Sequence, residues 1–532
     1  MLRYTTFIIV ITLAVITSTL AVMTSAMWLI VLAAGFGALT AWGIWDVVQT
    51  RHSLARNYPI IWALRYLFES IRPQIRQYLI ESDTDGTPFD REQRSLVYQR
   101  AKNDVDVVPF GTERDVKSVG YEWLNHSMFP AARPAEAMRI DIGGPDCKQP
   151  YSSSVLNISA MSFGSLSAAA IRALNSGAKI GGFAHDTGEG GISPYHLEHE
   201  GDIIWEFGTG YFGCRNDDGT FSPERFRERA VNPQIRMIEI KLSQGAKPGH
   251  GGILPGQKVS PEIAATRGVP VGVDCVSPSQ HSAFRTPVEM MQFIGSLREL
   301  SNGKPVGFKL CIGHRWEFLA LCKAMLHTGI YPDFIVIDGK EGGTGAAPVE
   351  FTDHVGTPRR EGLLIAVNAL IGCGIRDRIR IGVSGKIVSG FDMAVAMAMG
   401  ADWCNSARGF MFALGCLQSQ KCHTNECPVG VATQDAARQR GLVVEHKAER
   451  VANFHRHTVN ALTDLVCAAG LQHATELTPA HIQRRLSSNQ TANLADTYEW
   501  LEPGQLINGT ATGGWKVDWE RASIDADTRN VH

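Results

Sequence analysis

The pattern of apolar and polar positions changes character three times along the chain. Between Arg3 and Asp46 lie 42 residues without a charged side chain, about twice the ~20 needed to span hydrocarbon. Thr24, Ser25 and Ala26 interrupt this run near its middle, which predicts a transmembrane helical hairpin over about 5–24 and 27–48, with Trp28, Trp42 and Trp45 at the interfaces. A cleaved signal peptide ending at Thr24-Ser25-Ala26 is the competing reading, opposed by the second full-length apolar segment that follows at once. From 51 to 150 the pattern becomes that of a connector. Ile60, Ile61, Leu64, Leu67, Phe68, Ile71, Ile75 and Leu79 recur at helical spacing, with Arg65, Arg72 and Arg76 on the polar side. Pro73 is expected to break or restart this helix. A basic amphipathic helix so placed suits either a bilayer surface or packing on the folded domain. Asp83 to Phe89 is turn-rich, and 91–102 reads as a charged helix.

Past 150 short β-type runs recur between helical and loop segments: 155–159, 179–183, 237–242, 269–275, 306–311, 334–338, 379–384 and 403–406. Eight such runs, the last two joined by a helical stretch over 394–399, predict an α/β fold of the (β/α)8, or TIM barrel, type. The expected organisation is a two-helix membrane segment at 1–50, a connector at 51–150, the barrel at 151–470 and a C-terminal extension at 471–532.

Composition narrows the partners. Lys+Arg 51 against Asp+Glu 53, with 44% hydrophobic residues, describes an ordinary folded protein and disfavours a nucleic-acid partner. The 11 cysteines are odd in number and scattered, which speaks for a reducing compartment rather than a disulfide framework. Arg3 precedes the apolar run and Arg51, Arg56 and Arg65 follow it, while its central turn has no Lys or Arg. Both ends of a two-helix, multi-pass membrane protein are thus expected in the cytoplasm, with the catalytic domain there too.

In a barrel of this kind the chemistry sits at the C-terminal ends of the strands. Past the sixth predicted strand comes Glu341-Gly342-Gly343-Thr344-Gly345-Ala346, past the seventh Ser384-Gly385-Lys386, and past the eighth Ser406-Ala407-Arg408-Gly409. Glycines there expose backbone N–H groups, and the loops after strands 7 and 8 commonly bind phosphate, so a flavin mononucleotide or a phosphorylated sugar would suit them. One such cluster alone is as well explained by a tight turn; three at corresponding strand ends are not. Lys309, on the fifth predicted strand, points to a flavin ring edge or, alternatively, to a core carboxylate partner. Cys416, Cys422 and Cys427, the last followed by Pro428, have the spacing of thiolates that hold an iron–sulfur cluster. Zinc prefers cysteine pairs two to four residues apart and a fourth ligand; plain core cysteines are the other alternative. Three ligands favour 3Fe-4S over 4Fe-4S unless Cys404 comes close.

At this point the residues resemble a known family. Lys421-Cys422-His423-Thr424-Asn425-Glu426-Cys427-Pro428-Val429-Gly430-Val431-Ala432-Thr433-Gln434, with Cys416 upstream, is similar to the cluster motif of glutamate synthases. So are Ser162-Phe163-Gly164-Ser165-Leu166-Ser167, Thr187-Gly188-Glu189-Gly190-Gly191, Gln244-Gly245-Ala246-Lys247-Pro248-Gly249 and Gly342-Gly343-Thr344-Gly345-Ala346. The five ordered motifs cover about 155 to 440 and resemble the FMN-binding synthase domain. That resemblance implies FMN and a 3Fe-4S cluster, and reduction of the imine of 2-oxoglutarate and ammonia to L-glutamate. It places Ser162 and Gln244 with Lys309, Gly342, Gly343, Thr344, Gly345, Ser384, Gly385, Lys386, Ala407 and Arg408 in the cofactor site. It makes Cys416, Cys422 and Cys427 the cluster ligands, Lys247 and Arg267 the clamp for the 2-oxo acid, and Glu189 the group that orients the imine or moves its proton. The family's glutaminase and β-helical domains have no counterpart in this pattern, so free ammonia or a separate amidotransferase is the expected nitrogen source. His250 and Ile253 depart from the family's usual Lys-Pro-Gly-Glu-Gly-Gly-Gln, which keeps a second expectation open: a membrane-linked FMN and iron–sulfur oxidoreductase for another keto or amino acid. Lacking a second Gly-x-Gly-x-x-Gly unit, the chain is expected to take electrons from a donor protein or a quinone.

Overall fold

Eight short runs, buried along nearly their whole length, lie side by side in parallel and close on themselves: β1 (Leu156–Ile158), β2 (His185–Asp186), β3 (Ile203–Phe207), β4 (Ile235–Lys241), β5 (Val306–Leu310), β6 (Phe334–Asp338), β7 (Arg380–Ser384) and β8 (Trp403–Ser406). The ring closes where Cys404, Asn405 and Ser406 of β8 pair with Leu156, Asn157 and Ile158 of β1. Continuous burial is what a parallel sheet covered by helices requires. The computed structural model describes residues 2–525, and the chain divides into two compact units, Met1–Arg91 and Glu92–His532, of which the second holds the barrel.

Two of the expected strands are corrected. Lys179 lies in the helix Ala168–Gly181, which Ser167 caps by accepting from the amide of Ala170 and Gly182 ends at φ +67°. Residues 269–275 are mostly loop: Val271 and Val273 are each 55% exposed, Gly272 has φ +73°, and only Cys275 pairs, opposite Leu254 in a small antiparallel ribbon. Their places in the ring belong to β2 and β3. The first is too short to show a period, and the second carries Glu206 where alternation would demand an apolar residue.

The helix Val444–Ala468 packs against Ala168–Gly181, and Gly177 permits it, since a Cβ there would lie 2.6 Å from Cβ of Val451. The charged helix Arg91–Lys102 also has a task. Tyr98 donates to the carbonyl of Cys416 at 2.6 Å, and Arg100 donates to Thr458 on the long helix. At the chain's far end the helix Gly513–Arg521 docks on Arg315–Thr328, with Arg315 bonded to Asp518 at 2.6 Å and lying over the ring of Trp515.

The first unit is built on α1 (Thr5–Thr24) and α2 (Met27–Val48), both long and apolar enough to cross a membrane. They pack against each other, with Phe7 against the Cα of Gly43, and Ser25 turns between them at φ 50°. The amphipathic helix, α3, spans Trp62–Ile75. Pro73 does not break it: the helix runs through, and a wide π turn follows over Arg76–Ile80.

Candidate active site

Inside the barrel the apolar core gives way to a charged layer. Asp186, Glu206 and Glu239 bring carboxylate oxygens within 4.8 Å of one another, and Lys309 places its ammonium among them, paired with Glu206 and 3.3 Å from Glu239. All four are buried. Of the two readings of Lys309, the core-carboxylate partner is the one present. Burial, then the charge of Glu206, pushes Asp186 up to about 7 despite Lys309. Burial likewise pushes Glu239 well above the carboxylate range. Burial works against the charge on Lys309, yet Glu206, Glu239, Asp186 and Asp338 hold it as a cation, well above the usual lysine range.

Above this layer, at the strands' C-terminal ends, stands Glu189, three residues past β2. Its Oε1 is 2.8 Å from Nζ of Lys241, the last residue of β4. Burial opposes its charge, but Lys241, Arg267 and Lys247 together hold it below the usual carboxylate range. Lys241, Lys247 and Arg267 are all under 10% exposed. Gly208 and Gly252 make room for Glu189: a Cβ at 208 would lie 2.7 Å from its Oε2, and one at 252 would meet Oε1. Lys247 donates to the carbonyl of Ala346 at 2.9 Å. Arg267 ends the helix Pro261–Arg267, donates to Ser162 Oγ at 3.2 Å and to the carbonyl of Phe163 at 3.1 Å, and lies over the ring of Phe212. Its Nε is buried without a partner.

The loops that rim this mouth are tied together by Asp338 at the end of β6. It accepts from the amide of Gly245 at 2.7 Å and from the hydroxyl of Ser384. Gln244 reaches Thr344 at 3.5 Å. Past β7, Gly385 (φ +128°) and Lys386 (φ +52°) turn the backbone, and Arg359 holds the carbonyl of Gly385 at 2.7 Å. Past β8, the hydroxyl of Ser406 donates to the carbonyl of Ile387, and Ala407 leads into the helix Arg408–Leu414. The guanidinium of Arg408 lies against Gly343, where a Cβ would collide with it, whereas Gly345 has nothing within 4 Å of a Cβ. Gly342 completes the turn, its amide donating to Gly339 at 2.8 Å. His250 packs edge-on against Phe351, and Ile253 begins the ribbon strand Ile253–Leu254.

Cys416, Cys422 and Cys427 lie on the irregular segment after Gly415, which ends the preceding helix at φ +104°. Burial, then the charges of the neighbouring cysteines, pushes Cys416 up to about 12 and raises Cys422; Arg408 acts against this at both, Lys258 at Cys422. Among the described residues the three sulfurs are not gathered within 4.8 Å as ligands of a single ion would be. Cys404 is elsewhere: it is buried on β8, where the charges acting on it are those of Arg359 and Asp392. The segment is stitched to the turn after β1. Gln434 donates to the carbonyls of Gly164 (3.1 Å) and Leu166 (3.0 Å), and Lys258 donates to those of Ser165 (2.9 Å), Cys422 (3.3 Å) and Ala432 (3.4 Å).

A family model described as a conserved region in glutamate synthase matches residues 145–472. The chain belongs to the glutamate synthase family. A glutamate synthase large subunit-like protein of Bacillus subtilis (strain 168), YerD, is 38% identical over 498 residues, 86% of this chain and 94% of that one. An archaeal-type glutamate synthase [NADPH] of Dehalococcoides mccartyi is 34% identical over 314 residues, 59% of each chain. The large chain of a glutamate synthase [NADPH] of Bacillus subtilis is 32% identical over 324 residues, 60% of this chain and 20% of that one. The chain thus spans about three fifths of the archaeal-type relative and about a fifth of the large chain.

For this glutamate synthase-like oxidoreductase, every residue singled out in the sequence from Ser162 to Cys427 lies within the matched range. The structure gathers Glu189, Lys247, Arg267 and Ser162 in one mouth, with Gln244 and the 342–345, 384–386 and 407–408 loops along its rim. Among the participants not anticipated are Asp186, Glu206, Glu239, Lys241 and Lys258. The first four are charged residues on buried strands, which is itself a signal, because an unpaired charge inside a barrel is costly. Lys258 stands in a plain Gln-Lys-Val context with nothing local to mark it.

Proposed function

We propose that this chain reduces the imine of a 2-oxo diacid, 2-oxoglutarate with ammonia, to the amino acid, L-glutamate, at FMN served by a 3Fe-4S cluster. The carrying observation is a charge imbalance. Three buried cations, Lys241, Lys247 and Arg267, face one carboxylate, Glu189, and buried charges are tolerated only when compensated. The two surplus positive charges match the two carboxylates of a keto diacid. Arg267 offers a fork for one carboxylate and Lys247 a point charge for the other. Glu189, ionised and close by, favours the protonated imine, whose nitrogen it orients, and Lys241 keeps Glu189 in that state. Holding both carboxylates on this set would exclude water and fix the orientation of the imine carbon.

The residues present fit both groups. For FMN, Ser162, Gln244, Thr344 and Lys309 would hold the ring system, and the Gly342–Gly345, Ser384–Lys386 and Ala407–Arg408 loops would hold the phosphate. The open space at Gly345 and the left-handed backbone at Gly385 suit a phosphate cradle of backbone N–H groups. Reduced FMN, when bound, supplies the hydride. For the cluster, Cys416, Cys422 and Cys427 would be the ligands. Lys258, a buried cation bonded to carbonyls, and Arg408 would supply the positive charge that a thiolate-bound group needs, and the thiols would give up their protons on binding iron. A cluster spreads its thiolates over several irons, in keeping with sulfurs that do not converge on one point.

Ammonia arrives free or from a separate amidotransferase, and electrons from a donor protein or a membrane quinone. α1 and α2 form the membrane anchor, with both ends and the barrel in the cytoplasm; Arg3 bonds Asn57, bringing the arginines on either side of the hairpin to the same end. A reporter fused after His532 is expected to be active as a cytoplasmic and silent as an exported one. Ile253, 36% exposed beside the mouth, favours a second reading, a different 2-oxo acid. The deciding experiment is reoxidation of the reduced, anaerobic protein by 2-oxoglutarate with ammonia. Rapid reoxidation yielding glutamate is expected; none with 2-oxoglutarate but turnover with another 2-oxo acid would install the second reading.

A further inference from the structure

The helix α3 has an apolar face that nothing else among the described residues of the first unit covers. None of its 14 residues is buried. Leu64, Leu67, Phe68 and Ile71 fall on one arc and are 39 to 61% exposed, and Tyr78, Leu79 and Ile80 beyond it are more than half exposed. A soluble helix with such a face ordinarily buries it.

Its start is clamped to the end of α2. Asp46, at 2% exposure, accepts from the amide of Ile60 at 2.9 Å and from Nε1 of Trp62 at 2.8 Å. His52 lies against both Trp62 and Tyr66. Exposed Trp42 and Trp45 stand on the last turns of the same α2, where an aromatic belt marks the edge of a bilayer. The helix therefore begins at the depth where α2 leaves the hydrocarbon.

Along one edge of the apolar arc, Arg65, Arg72 and Arg76 form a groove with Phe68, Ile75 and Ile80, and Glu69 is the one acidic side chain lining it. Arg76 is 3.6 Å from Glu81, which leaves Arg65 and Arg72 to face outward beside the apolar stripe. Arginines flanking an exposed apolar arc are arranged to set their guanidinium groups at the level of lipid phosphates while the stripe enters the acyl boundary.

We infer that α3 is a lipid-binding surface whose partner is the anionic phospholipid of the leaflet where α2 ends. The inference rests on α1 and α2 crossing the bilayer and adds a second, charge-selective attachment beside the hairpin. It gives the anchor a preference for acidic membrane that α1 and α2, which carry no basic residue, lack.

The test uses the full chain in phosphatidylcholine nanodiscs, with and without one quarter phosphatidylglycerol, and reads amide exchange over 62–80. Exchange there is expected to slow by roughly ten-fold or more in the anionic discs, while peptides of β3 and β4 do not change. The triple variant Arg65→Gln, Arg72→Gln, Arg76→Gln is expected to lose the difference and still enter discs. Equal exchange in the two lipids would overturn the inference. So would protection already present in detergent, which would mean the rest of the chain covers the face, or protection only in discs carrying two copies, which would assign it to a second protein molecule. A chain that fails to enter neutral discs and floats with no vesicle would instead sink the membrane-hairpin reading.

Discussion

The carboxylate of Glu189 and the ammonium of Lys241 meet at 2.8 Å across the mouth of the barrel, one set beyond β2 and the other at the end of β4. The pair decides the ionisation of the one acid that faces three cations. Because its folded-state value is depressed, Glu189 contributes stability above the unfolded carboxylate range, ~4.3, and loses it as pH falls through the folded value. Its charge is in place throughout the neutral range.

Lys241→Met removes the nearest of those cations. Burial then acts on Glu189 with less opposition, so its value rises, and the acid limb of kcat/KM is expected to move to higher pH. Glu189→Gln is expected to abolish that limb and to lower kcat by about 10²-fold or more, the scale of a lost acid–base or charge contact. A pH profile of both variants checks this; an acid limb unmoved in Lys241→Met would detach the pair from catalysis.

Lys247 and Arg267 are expected to hold the substrate's carboxylates. Removing one charge-assisted bond costs ~1.5 to 3 kcal/mol, roughly 10- to 100-fold in affinity. Lys247→Ala is expected to weaken 2-oxoglutarate binding by that factor, read from the flavin absorption change, with flavin content unchanged. Arg267→Ala is expected to do more, because Arg267 also anchors Ser162 and Phe163. Arg267→Lys tests the fork, since charge survives and bidentate geometry does not.

The cysteine segment gives a separable pair of outcomes. Cys422→Ser is expected to remove iron and acid-labile sulfide while most FMN stays. Lys258→Met deletes the three bonds that tie Ser165, Cys422 and Ala432 together. It is expected to lower iron content and to destabilise the protein by about 1 to 3 kcal/mol. Metal analysis and thermal unfolding of anaerobically purified protein measure both. Full iron occupancy in Cys422→Ser would remove that residue from the ligand set.

Acid stability follows from histidines sealed in the core. Burial depresses His196 and His455 to about 3 and His281 to about 4. Each stays neutral in the folded barrel while the unfolded chain takes up its proton near pH ~6.5. Stability is therefore expected to fall as pH drops from about 6.5 toward 4. His281 is the informative one: it joins the Tyr211 hydroxyl to the backbone of Lys241, 2.9 Å from each. His281→Asn is expected to flatten part of the acid slope in urea titrations at pH 7 and pH 5.

The chain's local order was legible wherever a function is carried by neighbours in sequence. The hairpin over 5–24 and 27–48 is written in an uncharged run long enough to span a bilayer twice. The loops after β6, β7 and β8, and the three cysteines, are written in glycine and cysteine spacing, because the backbone conformation and ligand reach they need are set within a few residues. Six of the eight strands show as apolar runs. Ile203–Phe207 does not read as a strand and 269–275 does, since Val-Pro-Val-Gly-Val has β-type composition and Trp-Glu-Phe interrupts an apolar run, and composition does not distinguish a half-exposed loop from a strand facing a lumen. Only closure of the barrel puts Glu206, Glu239 and Asp186 around Lys309, Lys241 beside Glu189, and Lys258 between the cysteine segment and the turn after β1. These contacts join residues far apart in sequence, and what makes them charged, paired and buried is the dry enclosed space that the eight strands create together. The kinds of chemistry open to this protein are local in the chain; which charges face one another is set by closure of the fold, because electrostatic pairing depends on distance in space and burial, neither of which a local pattern contains.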